Sequence, residues 1–236
     1  MAEMALGYGS EYQLLRYLGH HRTYLDNQIK KETKSNSPII WLDYPNDSER
    51  DSLDGEWEGI KFLKDQIDQI DYKKIEKAWK KFWPSSGRAQ SWDGIFWQDD
   101  TLYLVEAKAH VKEMESECKA SDESKRTIQD AFMETTNKNE KQAEKWLSSK
   151  HYQLANRLAF IHFCNTVCKT IGIKAKLCYI MFINGYLPNV SKNVDKEETF
   201  KKAWEAECNA LELTPNQLND IVPVYIDCKK DGIKYK

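Results

Sequence analysis

An α/β fold, with helices flanking a mixed central sheet, follows from three features of this 236-residue sequence. The stretch SWDGIFWQDDTLYLVEAKAH, residues 91–110, places apolar and polar positions in alternation on both sides of a polar dipeptide, the pattern of a β-hairpin. KAKLCYIMFING, further on, is apolar enough to be a central strand. Between the two, HYQLANRLAFIHFCNTVCKTIG reads as a broadly apolar helix ended by Gly172.

The remaining elements fall into place around these. Ser10 and Gln13 match a capping box, and Tyr12, Leu14, Leu15 and Leu18 give an apolar stripe to a helix over 10–31, with a break at His20-His21 behind a glycine. KETKSNSP is a polar loop, PIIWLDY a short strand and PNDSERDSLDG a second loop. Ile60, Leu63 and Ile67 stand at helical spacing in the segment Glu56 to Ile70, and a further helix is predicted from Asp71 to Trp83, stopped by Pro84. On that helix Ile75, Ala78, Trp79 and Phe82 share one face and Lys73, Lys77, Lys80 and Lys81 the other, which reads first as a solvated face and second as a phosphate contact. Residues 112–148 are polar and mostly helical around a loop at TTNKN. Phe200, Trp204, Cys208 and Leu211 mark another amphipathic helix, Thr214-Pro215 opens a short one, and IVPVYID is a last strand whose Pro223 favours an edge. The chain divides into an N-terminal helical extension, 1–50, packed on a core domain of 51–236.

Composition excludes some classes of partner. With 35 basic and 37 acidic side chains the net charge is −2, so no global field draws the protein to nucleic acid or an anionic membrane, and a polyanion must be met by a local patch. No apolar run is long enough to span a bilayer and none reads as a signal peptide. The six cysteines (118, 164, 168, 178, 208 and 228) include no CxxC pair, which favours a reducing cytoplasm. Cys164 and Cys168 are one helical turn apart in an apolar run and read as buried thiols rather than half a metal site.

The chemistry gathers in the hairpin. Alternation puts Glu106, Lys108 and His110 on one face, with Tyr103, Val105, Ala107 and Ala109 on the other. A turn at Gln98-Asp99-Asp100-Thr101 sets Trp97 against Leu102 and carries Asp93 opposite Glu106. Carboxylates opposed at ~5 Å repel unless a cation lies between them. Asp93 and Glu106, with the main-chain carbonyl of Ala107 and water, offer the all-oxygen shell preferred by Mg²⁺ or Mn²⁺. Lys108 on the same face is placed to orient or deprotonate the attacking water, or to offset charge on a pentavalent phosphate. Such a set hydrolyses phosphodiesters. The plainer reading is a hairpin whose Glu-Lys pair faces solvent.

The spacing D93-x12-E106-x-K108 resembles the active-site signature of the restriction-endonuclease-like, or PD-(D/E)xK, nuclease superfamily, with Trp92 where the signature name has Pro. YQLANRLAFIHF resembles the helix after the ExK strand in uncharacterised bacterial relatives of these nucleases that carry WDG, LVEAKAH and YQLANRLA blocks. The resemblance covers residues 56–184. It implies an αβββαβ core, metal bound by Asp93 and Glu106, and Lys108 assisting the water. Many members add a Glu from the helix ahead of the hairpin; Glu56, Glu58 and Glu76 are candidates, and Glu56, in EWEGIKFL, is preferred because its helix can point its first turn at the site. Gln153, Asn156 and Arg157 cluster on one side of their helix, able to reach the metal site or a DNA phosphate, or else to cap the helix start.

The expected function is therefore a Mg²⁺-dependent endonuclease or exonuclease acting on DNA, with RNA also compatible with such a site and a homodimer suited to cutting two strands. The alternative is a catalytically silent nucleic-acid-binding or interaction module on the same fold. A transition-metal oxidative site using His110 has poor ligand chemistry, since a lone histidine beside a lysine is a weak donor set. His110 reads as a strand-end residue or a phosphate contact, and Trp92 and Trp97 as core rather than base-stacking platforms.

Overall fold

The computed structural model of the protein describes residues 9–43, 56–86, 89–185 and 193–229. Two helices open it, α1 (Gly9–His20) and α2 (Arg22–Thr33), separated at His21 rather than continuous over 10–31. The capping box predicted for α1 is absent: Ser10 lies within the helix, and the buried Gln13 side chain accepts from Arg16 Nη1 at 3.1 Å and donates to Gly185 O at 3.0 Å. The short strand β1 (Ile40–Trp41) follows, and the loop PNDSERDSLDG lies outside the described residues.

The helix expected over Glu56–Ile70 does not form. Trp57–Glu58 is a strand, β2, and Lys61–Asp65 a single 3₁₀ turn. Gly59, at φ +50°, turns the chain between them, and Ile60, Phe62 and Leu63 bury without a continuous helix. Spacing of i, i+3 and i+7 is satisfied by this turn as well as by a helix, which is why periodicity misled. Helix α3 (Gln69–Phe82) then starts on Asp68, whose carboxylate accepts from the N–H groups of Ile70 and Asp71, and buries Ile75, Trp79 and Phe82. Its four outward lysines, 73, 77, 80 and 81, are exposed.

Strand β3 (Ser91–Trp92) pairs antiparallel with β2, and β4 (Gly94–Gln98) and β5 (Thr101–Lys108) form the hairpin in the expected register, Trp97 against Leu102, with Asp99 at φ +52° in the turn. Helices α4 (Asp122–Thr135), α5 (Glu140–Ser148) and α6 (Tyr152–Thr166) lead to β6 (Lys174–Ile183). Helix α7 (Glu197–Ala210), the short α8 (Pro215–Asn219) with its Thr214–Gln217 capping box, and β7 (Ile221–Asp227) complete the chain.

The main sheet has the order β1-β4-β5-β6-β7, antiparallel through β5 and parallel from β5 to β7. β6 is an interior strand between β5 and β7, and β7 with Pro223 is an edge, as read from sequence. One face carries Phe96, Tyr103, Val105, Ala107, Ile180 and Phe182 under Leu14, Tyr17, Leu25 and Ile29 of α1 and α2. The other carries Leu102, Leu104, Tyr179 and Met181 under α3 to α7, with Cys164 and Cys168 fully buried among them. Each such large side chain contributes roughly 1.5–3 kcal/mol on burial. Among the described residues no helix is long and apolar enough to cross a membrane.

Candidate active site

Alternation along β5 leaves Glu106 and Lys108 on the Leu102-Leu104 face, at the end of the strand where the helical cover parts. Both are buried, at 2% and 5% exposure. A charged pair is kept there only if it is satisfied, and Lys108 Nζ does donate to Glu106 Oε1. The register expected from sequence set Asp93 directly across from Glu106. The ladder instead stops at Gly94 opposite Val105, because Ser91–Trp92 leave to pair with β2. Asp93 occupies the bend: its N–H donates to Val105 O at 3.1 Å, one residue out of step, and its Oδ2 accepts from Ala107 N at 2.6 Å. Its carboxylate thus lies over the peptide between Glu106 and Lys108.

Helix α6 supplies the other wall. Gln153 Oε1 accepts from Lys108 Nζ at 2.9 Å, and Gln153 N donates to Ser116 Oγ at 2.6 Å. Arg157 donates from Nε to Glu106 Oε2 at 2.8 Å and from Nη2 to Ser91 O at 2.7 Å. Its Nη1 reaches Asn156 Oδ1 at 3.0 Å, and the guanidinium lies 4.8 Å from the centre of the Trp92 ring. Trp92 is fully buried against Phe160, as a core residue. The Gln153, Asn156 and Arg157 cluster therefore faces the Asp93-Glu106-Lys108 set.

These groups border one cavity of about 530 Å³. Glu56 borders it too, carried just ahead of strand β2 rather than by the first turn of a helix. Ala107 borders it while its methyl packs on the opposite face, so its main chain is what it presents. Two carboxylates not anticipated from sequence complete the ring. Glu11 arrives from α1, where an acidic residue in a first turn looks like ordinary favourable charge for a helix start. Glu113 arrives from the 3₁₀ turn Val111–Met114, its Oε2 accepting from Ala109 N at 2.6 Å. His110 caps that turn, Nδ1 accepting from Lys112 N at 3.0 Å, and is not among the residues bordering the cavity.

Among the described residues bordering the cavity five carboxylates meet two cations, and the protonation equilibria register the imbalance. Burial pushes the Asp93 carboxyl well above its usual range, with Glu106 and Glu56 adding to it and Lys108 opposing. Burial likewise raises Glu56, with Glu11 and Glu106 contributing. Glu106 is also pushed up by burial, but Lys108 and Arg157 together outweigh this and hold it below the ordinary carboxylate value. Burial would lower Lys108; Glu106 and Asp93 prevail and raise it, so it remains an ammonium.

The donor set suits a hard divalent cation: oxygen ligands only, with negative charge in excess. Among the described residues no three His, Cys, Asp or Glu side chains are already grouped as a metal shell. Glu106 has both oxygens engaged by Lys108 and Arg157. Each carboxylate oxygen carries two lone pairs, so these contacts leave room for a metal bond beside them.

Behind the site, Glu207 of α7 is 1% exposed and holds two groups together. Its Oε1 is 3.4 Å from His151 Nδ1, at the N-cap of α6, and its Oε2 accepts from Tyr179, the β6 partner of Glu106, at 3.3 Å. The nearby Glu207 carboxylate raises the His151 pKa above its usual value, with Met114 O, 3.2 Å from the same Nδ1, and Glu115 adding to it and burial opposing. By linkage, the stability from this pair is present below 6.5, down to the pH at which Glu207, itself raised by burial, takes up a proton, and is lost as pH rises through the raised His151 value. In a Glu207→Gln variant His151 is expected to titrate lower than in the unsubstituted protein, followed by NMR of its ring protons; an unchanged titration would show that the pair does not form.

Compared with protein-family models, curated proteins and solved structures, the chain finds no match.

Proposed function

We propose that the protein is a divalent-metal-dependent nuclease of the PD-(D/E)xK kind, hydrolysing phosphodiester bonds of DNA. The observation that carries the reading is the Asp93 carboxylate folded onto Ala107 N, beside Glu106 and Lys108 at the rim of one acidic cavity. Within residues 56–184, the hairpin β4-β5, helix α6 and the parallel strand β6 beside β5 support this reading, being the strand, strand, helix, strand order that closes the αβββαβ core the resemblance implies.

Asp93, Glu106 and the Ala107 carbonyl would hold Mg²⁺ or Mn²⁺, with Glu56 beside them. When bound, the cation supplies Lewis-acid charge that activates water and polarises the phosphate. Lys108, held as an ammonium by Glu106 and Asp93, serves to orient the water and offset charge on the phosphoryl oxygens; a lysine with a raised pKa is a poor general base. Gln153 fixes the direction of its Nζ, and Arg157 holds Glu106 in place. The alternative, a silent binding module, draws on the closure of Glu106 between its two cations.

One experiment separates them. Plasmid, single-stranded DNA and RNA are incubated with the protein, with and without Mg²⁺ or Mn²⁺, beside an Asp93→Asn variant. Cleavage is expected only with metal, and roughly 10³-fold slower in the variant. Cleavage that ignores metal or survives the substitution defeats the assignment, and intact substrate throughout favours the silent module.

A further inference from the structure

A second cavity, of about 540 Å³, adjoins the first and shares Trp83 and Tyr152 with it. Its chemistry is the opposite. Where the first is ringed by carboxylates, the second has none among the described residues that line it, and Lys119 is the one charged group among them. Two aromatic side chains form its wall: the half-buried Tyr152, and Trp83, 4% exposed and held rigid by stacking on Trp79 with ring centroids 6.0 Å apart and planes 13° from parallel, with Ile128 buried beside them. Hydroxyls line the rest: Ser124 Oγ lies 3.2 Å from both Ser86 Oγ and Ser121 Oγ.

Resting on the nuclease reading above, we infer that this second cavity receives an unpaired nucleobase next to the scissile phosphate, so that the substrate is a single strand or a junction with an unstacked nucleotide. A base is flat, uncharged and edged with donors and acceptors. It matches an aromatic wall faced by hydroxyls, each of which rotates to donate or accept. A phosphate would find one exposed lysine, and the acidic cavity next door already takes the phosphate through its cation. The volume lies within the ~300–1,000 Å³ typical of small-molecule sites. A base inside a duplex cannot enter it without leaving the stack, which favours substrates where that step is already made.

The test uses the full chain carrying Lys108→Ala, in Mn²⁺, so that binding is read without turnover. A fluorescent single-stranded 15-mer is compared with versions bearing one abasic site, scanned along the strand, and with the duplex. Loss of one base, at a single position, is expected to weaken binding about tenfold. Adding Ser124→Leu, which fills the cavity, should bring the intact strand down to the abasic value and leave the abasic one unchanged. If that variant melts early by circular dichroism, Ala120→Leu fills the same space from another wall. Binding indifferent to every abasic position, or a filled cavity without effect, overturns the inference. Cleavage by the unsubstituted protein is scored separately: cutting without base dependence defeats the base site and leaves the nuclease, while base-dependent binding without cutting does the reverse. An absence of nucleic-acid binding overturns both.

Discussion

Replacing Lys108 with alanine is expected to cut the single-turnover rate by about 10²–10⁴-fold while leaving Mn²⁺ bound at least as tightly as before. The two halves of this result have one cause. Lys108 Nζ is the positive charge nearest both Glu106 and Asp93, and it occupies Glu106 Oε1. Removing it takes away the group that faces the phosphoryl oxygens, so turnover falls. It also removes a competitor for the same carboxylate oxygen and leaves the cavity more negative, so a divalent cation gains. The metal-free variant loses stability, because burial and like charge then act on Asp93 unopposed by the ammonium. The rise in melting temperature on adding Mn²⁺ should therefore exceed that of the unsubstituted protein. Calorimetric titration with Mn²⁺ and cleavage of a labelled oligonucleotide decide the matter. Turnover and metal affinity lost together would make Lys108 a structural residue.

Much of the site was legible because its central part is local. Period-two alternation fixed which side chains of β5 share a face, and the turn at 98–101 fixed the register up to Gly94, so Glu106 and Lys108 could be read on one surface. The position of Asp93 was legible only roughly. Its bend depends on Ser91–Trp92 pairing with Trp57–Glu58, a strand of two residues that no periodicity announces. For the same reason Glu56 was expected on a helix and stands beside a strand. Glu11 was missed altogether, since its approach to the cavity is set by packing of Leu14 and Tyr17 onto the far side of the sheet, across about a hundred residues of sequence. Glu113 had a weak signal in its nearness to the strand end, and Gln153, Asn156 and Arg157 a stronger one as the polar cluster of an otherwise apolar helix. Tertiary packing, rather than local preference, decides every position that was not foreseen.

Glu106→Ala is expected to lower the unfolding free energy by roughly 3–5 kcal/mol, measured by urea denaturation, because it leaves two buried cations without their shared partner. Lys108 and Arg157 are each 5% exposed and meet on the two oxygens of that one carboxylate. Arg157 keeps Ser91 O and the Trp92 ring, and Lys108 keeps Gln153, so the loss falls short of two fully isolated charges. Against a total stability of about 5–15 kcal/mol this is a large share. Unlike the lysine variant, it should gain little from Mn²⁺, having lost a ligand as well as a counter-ion. A triple variant, Glu106→Leu, Lys108→Met and Arg157→Met, then separates stability from chemistry. Well-packed apolar side chains in place of a buried ion triad are often neutral or stabilising by about 1–4 kcal/mol, so most of the lost stability should return. A stable, inactive triple variant would show that the fold does not require these charges, which leaves catalysis as the reason to bury them. A triple variant as unstable as Glu106→Ala would make the triad a structural clasp and weaken the case for a metal beside it.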